Sequence, residues 1–127
     1  MKHQVLTALI LAGGLAAKQA NAACNYPMAP GKFPDGNTAS KEEMVTARRE
    51  VSKYNDDMTK YLECIKSEYD AKIAAQTDLT PDRKSELDRM QAQKEDAAIK
   101  EVTDVVARFE EQRKAWVAKN QAEKKTG

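Results

Sequence analysis

TDLTPD, residues 77–82, interrupts a long run of helix-forming residues that contains no other proline and no glycine. Within it, Thr80 can accept a hydrogen bond as a helix N-cap, and Pro81 suits the first helical position because its missing N–H would be unpaired there anyway. The stretch therefore ends one helix and begins another. We expect an all-α protein with helices over about 41–76 and 81–121.

Apolar residues on both sides of this break have the spacing of a helix face that packs against another helix. Before the break they recur in alternating steps of three and four residues: Met44, Ala47, Val51, Tyr54, Met58, Tyr61 and Ile65. After the break a second stripe is formed by Leu87, Met90, Ala98, Val102, Val106, Phe109 and Trp116. Two such stripes indicate that the helices lie side by side.

The residue numbers indicate how the two stripes face each other. In an antiparallel hairpin, facing residues have a nearly constant sum of residue numbers. Five apolar pairs sum to 160 and centre on Thr80: Ile73–Leu87, Met58–Val102, Tyr54–Val106, Val51–Phe109 and Met44–Trp116. We therefore predict an antiparallel two-helix hairpin. Its weakest part should be where Ile65 faces Glu95 or Lys94, and where Tyr69 faces Gln91.

The stretch before the first helix, CNYPMAPGKFPDGNTAS (residues 24–40), contains three prolines and two glycines. Proline fixes φ and disfavours helix at the residue before it, so residues 23–39 should form an extended arm. The composition of residues 34–37 predicts a turn, with Gly36 free to adopt a positive φ. The S-x-x-E pattern of residues 40–43 is a capping box that begins the first helix.

The chain has two cysteines, Cys24 in the predicted arm and Cys64 in the first helix. Cys64 should lie roughly 36 Å along the helix from its start, and the arm could span about 50 Å when fully extended. A disulfide within one chain is therefore within reach, and it would stabilise the fold by about 4 kcal/mol in the chain-entropy model. A disulfide between two chains and a redox-active pair are the alternatives, although no C-x-x-C motif is present.

The first 22 residues have the layout of a secretory signal peptide. A short basic start precedes an apolar run over 5–17, and the small residues of A-N-A at 20–22 suit a signal peptidase. Residues 23–127 should then form a single helical-hairpin domain in the periplasm or outside the cell. A lipoprotein anchored through Cys24 is the alternative. Because no later apolar run is long enough to span a bilayer, we expect no stable membrane insertion after the signal is removed.

Composition argues against several classes of function. Without the predicted signal peptide the chain has 19 basic and 20 acidic residues, so nucleic acid is not an expected partner. The only histidine, His3, lies in that segment, which removes the usual base of nucleophilic catalysis and the commonest transition-metal ligand. Paired charges such as Glu42-Glu43 and Arg48-Arg49 are interpreted as solvated helix faces. We predict no catalytic residue, no cofactor and no metal site, and therefore a protein that is not an enzyme.

A lone hairpin leaves part of its apolar surface uncovered. Three apolar residues lie outside the predicted seam: Val45, Leu62 and Ile99. Either the arm covers the hairpin through Tyr26, Met28 and Phe33, or two hairpins pair into a homodimeric four-helix bundle. Apolar surface that neither of these covers would be available to a protein partner or an unfolded client.

Two resemblances bear on localisation and function. Leu79-Thr80-Pro81-Asp82-Arg83 is similar to the LTxxQ motif of small periplasmic ATP-independent chaperones, with Arg83 in the place of glutamine. Several further features occur together: Cys24, Pro27, Pro30, Pro34-Asp35-Gly36, Glu42-Glu43-Met44 and Cys64. In these features the chain resembles a group of small exported bacterial proteins of unknown function. That resemblance implies an envelope location and a disulfide-tied helical fold, and it implies no activity.

These observations lead to two alternative functions. The first is an exported, non-enzymatic protein-interaction or chaperone-like module. The second is a purely structural component that assembles as a homo-oligomeric helical bundle.

Overall fold

The computed structural model describes residues 23–127, and within them the chain forms two helices and no strand. Helix α1 spans Lys41–Ala74, and helix α2 spans Pro81–Thr126. The two helices pack against each other, which confirms the all-α hairpin. The predicted signal peptide, residues 1–22, lies outside the described residues. Neither helix is long and apolar enough to cross a membrane.

Both helices begin at the residues that the sequence indicates. The Ser40 hydroxyl accepts a hydrogen bond from the Glu43 backbone N–H at 3.1 Å, and the Ser40 N–H donates to the Glu43 carboxylate at 2.8 Å. This reciprocal pair is the predicted capping box. At the second helix, the Thr80 hydroxyl accepts from the Arg83 N–H at 3.2 Å, with Pro81 in the first turn. Local sequence therefore fixes both starting points.

The ends of the helices differ from the prediction. Helix α1 stops at Ala74 rather than 76, because the Gln76 N–H bonds to the Ile73 carbonyl at 3.2 Å and tightens the final turn. Helix α2 continues to Thr126, five residues past the predicted 121. No proline or glycine interrupts it before Gly127. Lys124 and Lys125 also place positive charge at the negative end of the helix dipole.

The core is formed by apolar side chains between the helices, together with Ala39 of the arm. Helix α1 contributes six buried residues: Met44, Ala47, Val51, Tyr54, Met58 and Ile65. Helix α2 contributes four: Leu87, Ala98, Val105 and Phe109. Met58 and Val105 are the most completely enclosed of the large side chains.

Two residues of the predicted second stripe are exposed, and Val102 and Trp116 are only partly buried against the core. Val106 is 37% exposed, whereas its neighbour Val105 is 1% exposed, so the valine in the core is not the one predicted. Met90 is 42% exposed. Adjacent helical residues point about 100° apart, so exchanging one valine for the next moves the side chain from the seam to a flank. Sequence spacing alone does not distinguish two consecutive valines.

Ion pairs do not set the register of the hairpin, although the Tyr69 hydroxyl of α1 donates a hydrogen bond to the Asp88 carboxylate of α2. Every ion pair between residues 23 and 127 joins two positions three or four apart on one helix, as Lys66 with Asp70 and Lys84 with Asp88 do. Exposed pairs of this kind stabilise a helix by only about 0.3–0.5 kcal/mol each. The register of α1 against α2 therefore depends on the apolar seam.

The core is not continuous as far as the connecting turn. Ile65 and Leu87 are buried, but they lie outside the continuous cluster formed by the other core residues. Next to them a groove opens between the helices, with Tyr69, Gln91 and Lys94 on its walls. The groove lies where polar residues of α2 were predicted to face Ile65 and Tyr69, and that this part of the interface is the weakest stays a prediction.

Candidate binding groove

A disulfide joins the start of the arm to the middle of α1. Cys24 and Cys64 are bonded to each other, with their Cα atoms 5.7 Å apart and a sequence separation of 40. Of the three arrangements left open by the sequence, the structure adopts the bond within one chain. The bond places the first described residues of the arm about three turns before the end of α1.

From the disulfide, the arm begins its path with an aromatic contact to α1 and a polar contact to α2. The Tyr26 ring meets the Tyr61 ring edge to face, with centroids 4.8 Å apart. The Tyr26 hydroxyl donates to the Glu101 carboxylate at 2.5 Å. Burial raises the pKa of Tyr26 well above its ordinary value, and the hydrogen bond to the Glu101 carboxylate raises it further. One side chain thus ties the arm to both helices.

The middle of the arm lies against α2. The Phe33 ring meets the Phe109 ring edge to face, with centroids 5.6 Å apart. The Arg108 guanidinium lies over the Phe33 ring, 5.7 Å from its centroid. It also donates a hydrogen bond to the Gly31 carbonyl at 3.3 Å. A cation over an aromatic face is attractive, and the carbonyl of an extended chain needs such a donor.

The turn after Pro34 ends the arm on α2. The Gly36 N–H donates to the Gln112 side-chain oxygen at 2.9 Å, and the Trp116 indole N–H donates to the Ala39 carbonyl at 3.2 Å. Trp116 is half-buried and packs on the core. Met28, which was expected to help cover the hairpin, is instead 93% exposed.

These contacts define a groove between the two helices that holds an extended chain. We call the part under residues 23–39 the covered groove. The arm within it has no helix or strand and relies on aromatic packing with both helices, a disulfide to α1 and hydrogen bonds with side chains of α2. The hairpin therefore already binds one extended polypeptide segment, its own.

The same groove continues beyond the disulfide, where no described residue of the arm covers it. We call this part the open groove. It is lined by Ile65, Glu68, Tyr69, Leu87, Met90 and Lys94, together with neighbouring residues of both helices. A carboxylate oxygen of Glu68 lies within 4.8 Å of the sulfur atoms of Cys24 and Cys64, so the open groove begins where the arm begins. Its volume of about 380 Å³ is at the small end of the range for ligand clefts.

The cluster of Cys24, Cys64 and Glu68 brings three ligand-type atoms together. Both sulfur atoms are bonded to each other, so neither is available as a thiolate, the form that binds metal. Only the exposed Glu68 carboxylate remains as an ionised ligand. The oxidised cluster is therefore a structural crosslink.

Tyr54 is the one buried side chain of the covered groove with an ionisable group. It is 3% exposed, and its hydroxyl has no hydrogen-bond partner among the described residues. Burial raises the pKa of Tyr54 to about 12, and the nearby Glu101 carboxylate contributes in the same direction. The folded protein therefore retains this proton at a pH at which the unfolded chain releases it.

Replacing Tyr54 by phenylalanine should flatten the alkaline pH dependence of stability. A pKa raised by folding stabilises the protein fully below the unfolded value near 10, and this stabilisation is lost as the pH rises towards the folded value of about 12. Between pH 9 and pH 11, the free energy of unfolding measured in urea should fall by about 1 kcal/mol more for wild type than for Tyr54→Phe. The other tyrosines are common to both proteins and cancel. Equal losses would mean that the hydroxyl titrates as it does in water.

The face of the hairpin away from the arm carries a different surface. Three of its apolar residues are exposed, Val45 at 39%, Ile99 at 54% and Val106 at 37%. A shallow depression on this face is lined by Asn55, Leu62, Ile99 and Thr103 among others, and by no residue of the arm. We call this surface the opposite face. Val45, Leu62 and Ile99 are the residues expected from the sequence to need another cover, and the arm does not provide it.

Comparison with known proteins does not place this groove in an established class. No protein-family model matches the chain, and no curated protein and no solved structure is significantly similar to it.

Sequence reasoning found the disulfide but missed the α2 residues that hold the arm. Glu101, Arg108 and Gln112 were not singled out from the sequence. Their spacing contains a signal, because Glu101 and Arg108 are seven residues apart and therefore lie on one side of the helix. That signal becomes readable only when the arm is known to lie on the same side.

Proposed function

We propose that this protein is an exported, non-enzymatic binding module that holds extended segments of other proteins, as an envelope interaction partner or a chaperone-like protein. The observation that carries the proposal is the arm itself, an extended segment bound along the seam of the hairpin. The groove that binds it is longer than the arm, and its remaining part is accessible. A disulfide within the chain is compatible with an oxidising compartment such as the periplasm.

The side chains of the described residues also fit a binding role better than a catalytic one. Among residues 23–127, no charged side chain is buried, and the shifted carboxylate pKa values belong to exposed ion pairs such as Glu110 with Arg113. Catalytic acids and bases usually lie in clefts that shift their pKa values by burial. Aromatic rings and apolar side chains, which bind rather than react, dominate the groove.

The test is whether purified oxidised protein protects an unfolding client. At a near-equimolar ratio, it should delay the aggregation of thermally unfolded citrate synthase, followed by light scattering. It should also be crosslinked to envelope proteins in cells. A chain that neither delays aggregation nor forms any envelope crosslink would not be a binding module of this kind.

The opposite face favours a second candidate, a structural homo-oligomer. Ile99 and Val106 are exposed apolar residues, and Leu62 is half-buried beside the depression. Pairing two hairpins through this face would form a four-helix bundle. Multi-angle light scattering separates the candidates, since a structural oligomer remains a dimer over a wide concentration range and a binding module is a monomer without its client.

A further inference from the structure

We propose that the open groove binds an extended polypeptide segment of a client, placed end to end with the arm across the disulfide. This inference rests on the proposed function and names the site and the form of the ligand. It commits to an unfolded segment with apolar side chains, rather than to a second copy of the hairpin.

The open groove is continuous with the covered groove. On α1, the arm lies beside Tyr54 and Tyr61, and the next position in this seven-residue series is Glu68, which lines the open groove. On α2, the arm contacts Arg108 and Glu101. The preceding positions of that series are Lys94 and Leu87, and both line the open groove. Residues seven apart lie on nearly the same side of a helix. The surface that binds the arm therefore extends past Cys64.

The open groove also repeats the chemistry that holds the arm. In the covered groove a cation, Arg108, donates to a backbone carbonyl, and aromatic or apolar side chains fill the floor. In the open groove Lys94 lies two heptads before Arg108, and Ile65 and Leu87 form an apolar floor. An extended segment brings unpaired backbone carbonyls, which need such donors. Lys94 can donate to them as Arg108 donates to Gly31.

The open groove is long enough for a short extended segment. From Ile65 to Lys72 the groove is about 10 Å long at 1.5 Å per helical residue, which holds about three residues of extended chain at 3.3 Å each. A helix of a second copy is about 10–12 Å across with its side chains. The occupant of the adjoining covered groove is an extended chain and not a helix, and we take the same form for the client segment. Met90, 42% exposed at the edge of the groove, is the side chain that a bound segment would cover.

The test compares one residue of the open groove with a matched residue on the opposite face. Met90 and Ile99 are both exposed apolar residues of α2, so Met90→Asp and Ile99→Asp should fold equally well. The probe is fluorescein-labelled, reduced and carboxymethylated α-lactalbumin, a permanently unfolded chain, and the readout is fluorescence anisotropy. Met90→Asp should weaken binding about tenfold because a charge replaces an apolar contact, whereas Ile99→Asp should change it by less than about twofold.

A second measurement uses a photoreactive benzoylphenylalanine at each of the two positions. At Met90 it should crosslink the probe, and at Ile99 it should not. If wild type binds and Met90→Asp binds equally well, or Ile99→Asp weakens binding as much, the open groove is not the site although the proposed function stands. If wild type neither binds the probe nor delays client aggregation, the proposed function fails together with the site.

Discussion

Removing the Cys24–Cys64 disulfide should lower the free energy of unfolding by about 4 kcal/mol. The bond closes a loop of 40 residues, and breaking it returns to the unfolded chain the conformational freedom that the crosslink removes. For a domain of this size, the loss corresponds to a melting temperature about 15 °C lower. The arm should be affected first, because its remaining links to the hairpin are a few side-chain contacts such as that of Tyr26 with Glu101.

The experiment compares two ways of breaking the bond. Reduced wild type and the double variant Cys24→Ser/Cys64→Ser should melt at the same lower temperature, as monitored by circular dichroism. Hydrogen exchange should then show faster exchange in α1 near Tyr54, because the released arm no longer covers it. An unchanged melting temperature after reduction would mean that tethering the arm contributes nothing to the stability of the fold. A lower melting temperature in the variant but not in the reduced protein would point to the serine substitutions, rather than to the missing bond, as the cause.

The sequence predicted the hairpin well because its determinants are local. Capping by Ser40 and Thr80 depends on residues within one turn, and a break containing Pro81 places the connection. The disulfide was predictable because the reach of the chain from Cys24 to Cys64 limits the choices. Each of these conclusions needs only neighbouring residues or chain length.

The details of packing were not predictable, because they depend on where the arm lies. Val105 and Val106 have identical chemistry, and the burial of the first was not visible in the spacing. Glu101 and Arg108 look like solvated charges until the arm supplies Tyr26 and Gly31 as their partners. The position of a segment without regular periodicity is set by contacts with residues far away in sequence, and no local pattern records them.

Gly36 is a further case in which the sequence indicated the turn but not the reason that the turn needs a glycine. The turn composition suggested a glycine with a positive φ. Among the described glycines, however, none has a positive φ. A Cβ at Gly36 would instead lie 2.0 Å from the backbone oxygen of Gln112 and 2.9 Å from the backbone nitrogen of Trp116. Glycine is needed here because the turn lies directly on α2.

Replacing Gly36 by alanine should therefore lower the free energy of unfolding by about 3 kcal/mol. The clashing atoms are backbone atoms of a helix, which cannot rotate away as a side chain can. The turn must move outward by about 1 Å or more to restore ordinary contact, which breaks the Gly36–Gln112 hydrogen bond and strains that of Trp116 with Ala39. Urea unfolding and the fluorescence of Trp116, the only tryptophan, both report this change.

Two further substitutions distinguish close approach from backbone conformation. Gly31→Ala is the matched control, because a Cβ there meets nothing within 4 Å, and its effect on the free energy of unfolding should stay within about 0.5 kcal/mol. Gly36→Asn tests the alternative, since asparagine tolerates a positive φ better than alanine does. If Gly36 served a positive φ, Gly36→Asn would be less harmful than Gly36→Ala. Because the obstacle is the Gln112 backbone, which meets any Cβ, we expect Gly36→Asn to be at least as destabilising.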